Sequence, residues 1–333
     1  MRVGVAGLGG MGVVHARNAL ALDGVDLVAV AAARPGRAEE VAAELGGVRA
    51  STYEELFAAD DVEGVVLAAR SVDHARLACE VLAQGKHLLL EKPGATTMRD
   101  HAALRAAAVP ELVLQIAYMR RYDAAFVEAR RLVSVGAVGT PLAVLMTSRD
   151  TEWPEGEDPR DTGGFLLDMA SHDYDTACWM LGQEPVEAFA VRQAEVYPEL
   201  LELGDLDNAL VTIRFDGGGL ASTHVSRTCV YGHDIRCEIV GTDGSVLVGN
   251  AASRDGVIVV QSGDAPRFPA HYRERFADAY RAELAAFVAA CTGEGPRGPG
   301  LDDDARAVAI GVAARASAVA GQPLEVGLDW RWP

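Results

Sequence analysis

The sequence has little cysteine and lacks the features of an exported or membrane protein. Its five cysteines are scattered along 333 residues without a C-x-x-C pair, so neither a disulfide framework nor a zinc site is expected. The chain enters an apolar strand at its first residues, and no signal peptide or apolar run of membrane length is visible. These absences predict a cytoplasmic protein with no membrane partner and no bound metal.

Basic residues are also scarce. The 30 lysines and arginines are outnumbered by 48 aspartates and glutamates, which gives a formal net charge of −18 at pH 7. A surface that binds nucleic acid needs the opposite sign, so nucleic acid is not expected as a partner. Half of the residues are hydrophobic, which is typical of a compact enzyme and not of a disordered chain.

The first third of the chain alternates short apolar runs with amphipathic stretches. Uniformly apolar runs between helical stretches are typical of a parallel sheet that is covered by helices on both faces. The pattern therefore predicts an α/β Rossmann domain. The predicted strands are residues 2–8, 25–32, 64–69, 86–92 and 112–118, and the helical stretches between them include 37–45, 53–58 and 75–83.

Beyond Tyr118, strands follow one another without intervening helices, which indicates a second, α+β domain with a large, mostly antiparallel open sheet. We place the first domain at 1–120 and the second at 121–333. The predicted strands of the second are 141–150, 209–215, 219–227, 234–241 and 257–261, and its predicted helices are 124–135, 165–181, 273–291 and 302–320.

A glycine-rich turn, Gly7-Leu8-Gly9-Gly10-Met11-Gly12, joins the first predicted strand to a helix. In a G-x-G-x-x-G turn the first glycine permits the tight bend, and the second lets a pyrophosphate approach the backbone. The third allows the helix to pack closely on the strand, and the helix N-terminus favours the anion. The first domain is therefore predicted to bind a dinucleotide.

The acidic residue that would bind the ribose of NAD is missing at the end of the second strand, where the chain reads Ala31-Ala32-Ala33-Arg34. No carboxylate is present there to repel a 2′-phosphate, and Arg34 or Arg37 is available to bind one. NADP is therefore a candidate beside NAD. The alternative is that Arg34 is a solvated loop residue and that NAD is held through other contacts.

A second motif, Glu91-Lys92-Pro93, ends a buried strand at the edge where open α/β sheets bind ligands. A lysine at this place can hold a substrate hydroxyl and stabilise negative charge that develops on its oxygen. The alternative function of Lys92 is a structural salt bridge.

Asp168 and His172 are four residues apart on a predicted helix, so they share one face of it. A histidine that a carboxylate orients is a competent general base for a secondary alcohol, because histidine side chains titrate near neutral pH. The alternative is an ordinary hydrogen bond, although the apolar sequence around the pair places it inside the domain.

Together these motifs resemble the Gfo/Idh/MocA oxidoreductase family, and within it the inositol 2-dehydrogenases. The resemblance covers essentially the whole chain. It is based on Gly7–Gly12, Glu91-Lys92-Pro93, Met119-Arg120-Arg121-Tyr122-Asp123, Leu167-Asp168, His172, Asp175, Trp179, Tyr231-Gly232 and Asp234–Gly241.

The resemblance implies NAD(P)-dependent oxidation of a secondary ring hydroxyl of a cyclitol or sugar to a ketone. It implies a catalytic triad of Lys92, Asp168 and His172, with His172 as proton acceptor, and a homodimer or homotetramer paired through the open sheet. The residues that we assign to the cofactor are Gly7, Gly9, Gly10, Met11, Gly12, Ala32, Arg34, Ala69, His74, Glu91, Lys92 and Arg120. Those that we assign to the substrate are Lys92, Arg120, Tyr122, Arg149, Asp168, His172, Tyr231 and His233.

Departures from the inositol dehydrogenases concern the substrate. Ser148-Arg149-Asp150-Thr151 stands where those enzymes tend to have a His-Arg-Asn-Pro-like run, and His233 stands where they tend to have a second tyrosine. The loop that follows Thr151 is acidic, which suits the amine of an aminocyclitol or amino sugar. The alternative is that this loop is only a solvated surface. Its carboxylates are Glu152, Glu155, Glu157, Asp158 and Asp161.

Two other functions are open at this point. An NAD-assisted glycosidase would use the same fold with a transient redox step, and it differs from a dehydrogenase in releasing no net NAD(P)H. A non-catalytic dinucleotide-sensing regulator would keep the fold without the chemistry, and the presence of Lys92, Asp168 and His172 argues against it.

Overall fold

The structure is a computed structural model that describes residues 1–153, 158–249 and 268–328, and these residues form two compact units. The first unit contains residues 1–119 and 278–305, and the second contains residues 120–277 and 306–328. The sequence analysis placed all of 121–333 in the second domain. Residues 278–305 belong instead to the first unit, because Leu284 and Phe287 pack in its hydrophobic core.

The first unit contains a six-stranded parallel sheet, which confirms the predicted Rossmann-like fold. Its strands are β1 (Arg2–Ala6), β2 (Asp26–Ala31), β3 (Arg49–Ser51), β4 (Gly64–Leu67), β5 (His87–Glu91) and β6 (Leu114–Ala117). They lie in the order β3-β2-β1-β4-β5-β6, so that β1, β4 and β5 are neighbours at the centre of the sheet. The carboxyl ends of these three strands therefore lie side by side.

The helices of the first unit begin at recognisable signals. Thr52 and Glu55 form a capping box at the start of α3, and the side chain of Thr97 caps α5. No side chain of the residues described caps α1, which begins directly at the glycine turn. The helices are α1 (Gly10–Ala21), α2 (Arg37–Glu44), α3 (Tyr53–Ala58), α4 (Ser71–Ala83) and α5 (Met98–Ala107).

In the described part of the second unit, the strands form a seven-stranded sheet in which only β7 and β10 pair in parallel, which confirms the predicted α+β class. Its strands are β7 (Pro141–Arg149), β8 (Pro185–Gln193), β9 (Asn208–Phe215), β10 (Leu220–Ser226), β11 (Asp234–Gly241), β12 (Ser245–Val248) and β13 (Leu324–Glu325). Their order is β12-β11-β7-β10-β9-β8-β13. The strand predicted at 257–261 lies outside the described residues.

The helix predicted over 165–181 is divided, which corrects the sequence analysis. Helix α8 ends at Asp168 and α9 begins at Ser171. The hydroxyl of Ser171 donates to the carbonyl of Asp168 at 3.0 Å, and such a local side-chain bond competes with the helical pattern. The remaining helices are α6 (Ala124–Ser134), α7 (Pro159–Thr162), α8 (Phe165–Asp168), α9 (Ser171–Leu181), α10 (Tyr272–Arg275), α11 (Ala277–Thr292) and α12 (Leu301–Ala320).

Helix α11 places a carboxyl group in the core of the first unit. Glu283 is fully buried, and neither of its carboxyl oxygens has a hydrogen-bond partner within the described ranges. Burial, together with the negative charge of Glu91, raises the pKa of Glu283 well above its usual value. The folded protein therefore holds a proton on this group at pH values at which the unfolded chain has released it.

We predict that Glu283→Gln stabilises the protein, and increasingly so as the pH rises. The folded state binds this proton more tightly than the unfolded state, so the free energy of unfolding falls as pH rises from the unfolded pKa toward the folded pKa. The uncharged amide removes that loss. Thermal unfolding should show a larger gain in Tm at about pH 8 than at about pH 5. Glu294→Gln is the control, because Glu294 is exposed just beyond the same helix, and an equal gain from it would contradict the prediction.

Candidate active site

The turn that precedes α1 requires glycine at two positions of its motif. Gly7 has a φ of +93°, and a Cβ on it would lie 2.3 Å from the carbonyl oxygen of Ala68. A Cβ on Gly12 would lie 1.7 Å from the carbonyl oxygen of Gly7. No other residue fits such contacts, so these two glycines allow α1 to start against the carboxyl ends of β1 and β4.

Gly9 has a different function in the turn. Its backbone is extended, and a Cβ on it would meet no atom of the described chain within 4 Å. Gly10 and Met11 begin α1 beside this open space, and the first turn contains no acidic residue. The free N–H groups of a helix N-terminus next to open space fit the pyrophosphate of a dinucleotide.

Arg34 and Arg37, the two candidates for binding a 2′-phosphate, both bind the carboxylate of Glu40. Arg34 and Arg37 donate to the same oxygen of Glu40, at 3.0 and 3.3 Å. Arg37 also donates through Nε to the carbonyl of Leu8 in the glycine turn, at 3.1 Å. Ala32, which follows β2, has neither a positive nor a negative side chain. Glu40 thus partly neutralises the positive charge near the end of β2.

His74 joins two loops at the carboxyl edge of the sheet. It is buried in α4, with Nδ1 2.8 Å from the carbonyl oxygen of Pro93 and Nε2 3.0 Å from that of Ala69. Burial lowers the pKa of His74, and the two carbonyl oxygens act in the opposite direction. The residue predicted to bind cofactor therefore already contacts backbone on both sides, and it fixes the loops that follow β4 and β5.

Lys92 lies directly after β5 and is partly buried. The carboxylate of Glu91 accepts the backbone N–H of Lys92 at 3.2 Å and a hydrogen bond from Nε2 of His15 at 2.7 Å. Burial raises the pKa of Glu91, but the bond to His15 and the charges of His15 and Lys92 outweigh it and hold the pKa below its usual value. Glu91 is therefore a buried, ionised neighbour of the lysine.

In the second unit, Asp168 closes α8 and His172 lies in the first turn of α9. Both are partly exposed, whereas Phe165–Leu167 and 173–178 are buried. Only two residues, both with helical backbone angles, separate α8 from α9. Asp168 and His172 therefore lie on two consecutive helices and not on one continuous helix. Met169 is partly exposed as well, and the segment is otherwise buried from 165 to 178.

A buried pair that the sequence analysis missed anchors the start of this segment. Asp205 accepts the backbone N–H of Phe165 at 2.9 Å, just after Gly164, which has a φ of +89°. Arg227 lies 3.7 Å from Asp205 and stacks on the ring of Phe165 at 4.4 Å. Burial raises the pKa of Asp205, and the charge of Asp168 acts in the same direction. The pair therefore orients the helix that ends at Asp168.

Arg120, which we assigned to cofactor and substrate, lies in a buried network of the second unit. Its guanidinium donates to Asp173 and, at 2.9 Å, to Ser148, and Ser148 also donates to Asp173 at 2.7 Å. Thr223 donates to the other oxygen of Asp173 at 2.7 Å. The network links the segment before α6 to β7, α9 and β10. Tyr122 ends the short 3₁₀ helix that contains Arg120.

Arg149 and Tyr231 meet where β7 ends and β11 begins. Nη1 of Arg149 donates to the Tyr231 hydroxyl at 2.5 Å, and that hydroxyl donates to Asp234 at 3.0 Å. Nε of Arg149 donates to His224 at 3.0 Å. Burial is the main cause that raises the pKa of Tyr231 to about 12, so the phenol keeps its proton at neutral pH.

His233 and Asp150, two residues at which the sequence departs from the inositol dehydrogenases, contact each other. Nδ1 of His233 lies 2.6 Å from a carboxylate oxygen of Asp150, and because a carboxylate only accepts, Nδ1 carries the proton. The edges of Tyr272 and Phe276 pack against the imidazole. An Asn and a Tyr at these places would form no such ion pair, so the two substitutions belong together.

The acidic loop is only partly described. Asp158 caps α7 and forms an ion pair with Arg160 at 2.5 Å, and this pairing lowers the pKa of Asp158 to about 2. Glu155 and Glu157 lie outside the described residues. Asp158 is thus already engaged by a cation of its own loop.

Residues 1–153, 158–249 and 268–328 contain no group of three or more His, Cys, Asp or Glu side chains that could hold a metal ion. Over the same residues, no helix combines the length and the apolar character that a membrane span requires.

Two models of known protein families cover most of the chain. The NAD-binding Rossmann fold of an oxidoreductase family matches residues 1–117, and the C-terminal alpha/beta domain of the same family matches residues 130–326. The chain belongs to the Gfo/Idh/MocA oxidoreductase family. This confirms the resemblance seen in the sequence and the NAD-binding fold of its first part.

Relatives in the Gfo/Idh/MocA family are similar along nearly the whole chain. The scyllo-inositol 2-dehydrogenase (NAD(+)) of Bacillus subtilis is 32% identical over 98% of this chain and 96% of its own length. The myo-inositol 2-dehydrogenase of Thermotoga maritima is 32% identical over 95% of this chain and 96% of its own length. A crystal structure of a putative myo-inositol dehydrogenase from Sinorhizobium meliloti superposes with a TM-score of 0.89 at 30% identity, over 98% of this chain and all of that one.

Within each unit, some of the predicted residues of this Gfo/Idh/MocA member lie near one another. In the first, the glycine turn, Ala69, His74, Glu91 and Lys92 follow the neighbouring strands β1, β4 and β5. In the second, Arg149, Tyr231 and His233 gather at the ends of β7 and β11. Sequence reasoning missed His15, Asp173 and Asp205. Only Asp173 had a signal, its place beside His172.

We predict that Gly9→Ala weakens dinucleotide binding without loss of stability. The fold has room for the methyl group, but it fills the space that the pyrophosphate needs, so the Kd for NADH should rise about tenfold or more. Gly300→Ala is the matched control, because Gly300 also precedes a helix and its Cβ would also meet no atom of the described chain within 4 Å. NADH fluorescence titration and Tm measure the two effects. Unchanged affinity in Gly9→Ala would place the cofactor elsewhere.

Proposed function

We propose that this protein is an NAD-dependent dehydrogenase that oxidises a secondary ring hydroxyl of an inositol-type cyclitol to the ketone. One observation supports it most: the partly exposed pair of Asp168 and His172 in a mostly buried segment, in a chain whose first unit has a dinucleotide-binding turn. Such a chain can supply both a base and a binding place for a hydride acceptor.

The proposed chemistry assigns one task to each of three side chains. His172 accepts the hydroxyl proton as the C–H bond breaks, and Asp168 orients the imidazole and stabilises its charged form. The ammonium of Lys92 donates to the hydroxyl oxygen and stabilises negative charge on it. A bound NAD supplies the acceptor for the hydride. The products are then the ketone, NADH and one proton, so atoms and electrons balance.

The cofactor is proposed to be NAD and not NADP. Arg34 and Arg37 share Glu40, so a 2′-phosphate would have to compete with a carboxylate for both guanidinium groups. The Bacillus subtilis relative is named for NAD(+). Gly7, Gly9 and the first turn of α1 would hold the pyrophosphate, with Ala69 and His74 shaping the adjoining loop.

The substrate is proposed to be a neutral cyclitol. Relatives of this chain are named for scyllo-inositol and myo-inositol. The amino-sugar alternative depended on the acidic loop, and Asp158 of that loop is paired with Arg160. The names of the relatives likewise support a dehydrogenase and not a sensor that has lost its activity. Arg149, Tyr231 and His233 are the proposed substrate-binding residues, together with Lys92 and Tyr122.

A homodimer or homotetramer is proposed to form through the outer face of the second unit's sheet. That face exposes large apolar side chains on five of its strands, which is typical of a surface that another chain covers. They are Leu145 of β7, Val191 of β8, Leu210 of β9, Leu220 of β10 and Leu247 of β12. A cytoplasmic location is part of the same proposal.

A panel of cyclitols, sugars and amino sugars with NAD and NADP separately tests the proposal. We expect NADH to form with myo- or scyllo-inositol, and kcat/KM to be lower with NADP. Preference for an amino sugar would instead favour the aminocyclitol alternative. Absence of net NADH or NADPH with every compound would contradict the proposed dehydrogenase.

We predict that His172→Ala lowers kcat by about 10²–10⁴, the usual contribution of a positioned general base. NADH affinity should stay unchanged, because His172 is not among the groups proposed to bind the dinucleotide. Added imidazole should restore part of the rate by supplying the missing base. Wild-type kcat in this variant at saturating inositol would exclude His172 as the proton acceptor.

A further inference from the structure

The backbone that follows Lys92 is fixed by buried side chains of the first unit. The carbonyl of Pro93 lies 2.8 Å from Nδ1 of His74, and the N–H of Gly94 donates to Asp304 at 3.1 Å. A Cβ on Gly94 would lie 2.6 Å from a carboxyl oxygen of Asp304, so the glycine permits this close approach. The chain therefore has little freedom on this side of the lysine.

The backbone that precedes Lys92 is fixed by a histidine of the dinucleotide-binding helix. His15 is fully buried in α1 and donates through Nε2 to Glu91 at 2.7 Å. The second carboxylate oxygen of Glu91 accepts the N–H of Lys92 at 3.2 Å. Because α1 begins in the glycine turn, two hydrogen bonds connect the helix of that turn to the lysine.

Stability alone does not explain a polar pair at this place. Ala16 and Ala19, which neighbour His15 on α1, belong to the hydrophobic core, as does Leu89 of β5. Apolar residues of similar volume are often as stabilising as a buried ion pair, since they avoid the cost of desolvation. A directional contact is what the pair of His15 and Glu91 adds.

The surroundings keep the charge on Glu91. Burial and the charge of Glu91 raise the pKa of Glu283 well above its usual value, which disfavours a charge on that group. Burial opposes ionisation of Glu91, but His15, Lys92 and His74 all favour it and the pKa of Glu91 is lowered. Of the two buried carboxyl groups, Glu91 therefore carries the charge next to the lysine.

We propose that Glu91, held by His15, is a positioning residue that sets the place of the Lys92 ammonium relative to the glycine turn. The proposal rests on the proposed function, in which Lys92 binds the reacting hydroxyl. Neither His15 nor Glu91 needs to touch substrate or cofactor. This differs from the sequence analysis, which assigned Glu91 to cofactor binding.

The first test separates turnover from binding. Glu91→Ala should lower kcat about 10²-fold, since a small displacement of a catalytic group has this effect, while the Kd for NADH changes by less than about threefold. Glu91→Gln keeps an acceptor oxygen, so kcat should return to within about tenfold of wild type. His15→Ala should resemble Glu91→Ala, and combining both should lower kcat little further, because they remove one unit.

Lys86→Met is the matched control. Lys86 is buried just before β5, at the other end of the strand from Lys92, and donates to the carbonyls of Ala59 and Val62 at 2.7 and 2.8 Å. Its loss should lower Tm without lowering kcat per folded molecule. If Glu91→Ala and His15→Ala behave in the same way as this control, the pair is only structural and the proposal is overturned.

A second measurement does not depend on the substrate. The rate at which acetic anhydride modifies Lys92, followed by mass spectrometry, should rise at least about threefold in Glu91→Ala, because the amine loses its fixed geometry and a carboxylate that favours its charged form. Lys86→Met should leave that rate unchanged. If wild type oxidises no cyclitol but the rate changes as expected, the proposed function fails and the positioning stands. An unchanged rate in Glu91→Ala contradicts the positioning.

Discussion

The close approach of Gly7 to the strand ends is the constraint on which the rest of the first unit depends. A side chain on Gly7 would collide with Ala68, and one on Gly12 would collide with Gly7 itself. Because both are glycines, α1 begins close against the carboxyl ends of β1 and β4, and its free N–H groups lie at that edge of the sheet. That placement also determines where His15, in the second turn of α1, meets Glu91.

Buried ionisable groups hold several loops of the protein in place. His74 fixes the loops after β4 and β5, and Asp304 fixes Gly94 and accepts a hydrogen bond from the Tyr118 hydroxyl at 2.8 Å. Burial raises the pKa of Asp304 to about 6. In the second unit, Asp205 holds the backbone at Phe165, and Asp173 accepts hydrogen bonds from Arg120, Ser148 and Thr223. Directional bonds define such positions more narrowly than apolar packing does.

Local signals made much of this predictable. The glycine turn, the uniformly apolar strands and the change to alternating strands after Tyr118 predicted both sheets. Strands β3, β8, β12 and β13 were not predicted, and Pro185–Gln193 of β8 mixes charged and apolar residues without a clean period of two. The helix is divided at 169–170, beside the bond from the Ser171 hydroxyl to Asp168, and a periodicity argument does not detect such a bond.

Contacts between distant parts of the chain were beyond the sequence. His15 and Glu91 are 76 residues apart, and Gly94 and Asp304 are 210 apart, so neither pair has a local pattern. The return of residues 278–305 to the first unit has the same cause. Leu284 and Phe287 of α11 pack in the core of the first unit, but an apolar stripe on a helix does not say which core the helix faces.

The transfer of hydride from a ring carbon to NAD is the central claim, and isotope transfer tests it most directly. The protein would be mixed with NAD and an inositol that carries deuterium at every ring carbon, and the reduced cofactor would be examined by mass spectrometry. Each NADH formed should contain one deuterium. NADH without deuterium, or a ketone formed without reduction of NAD, would contradict it.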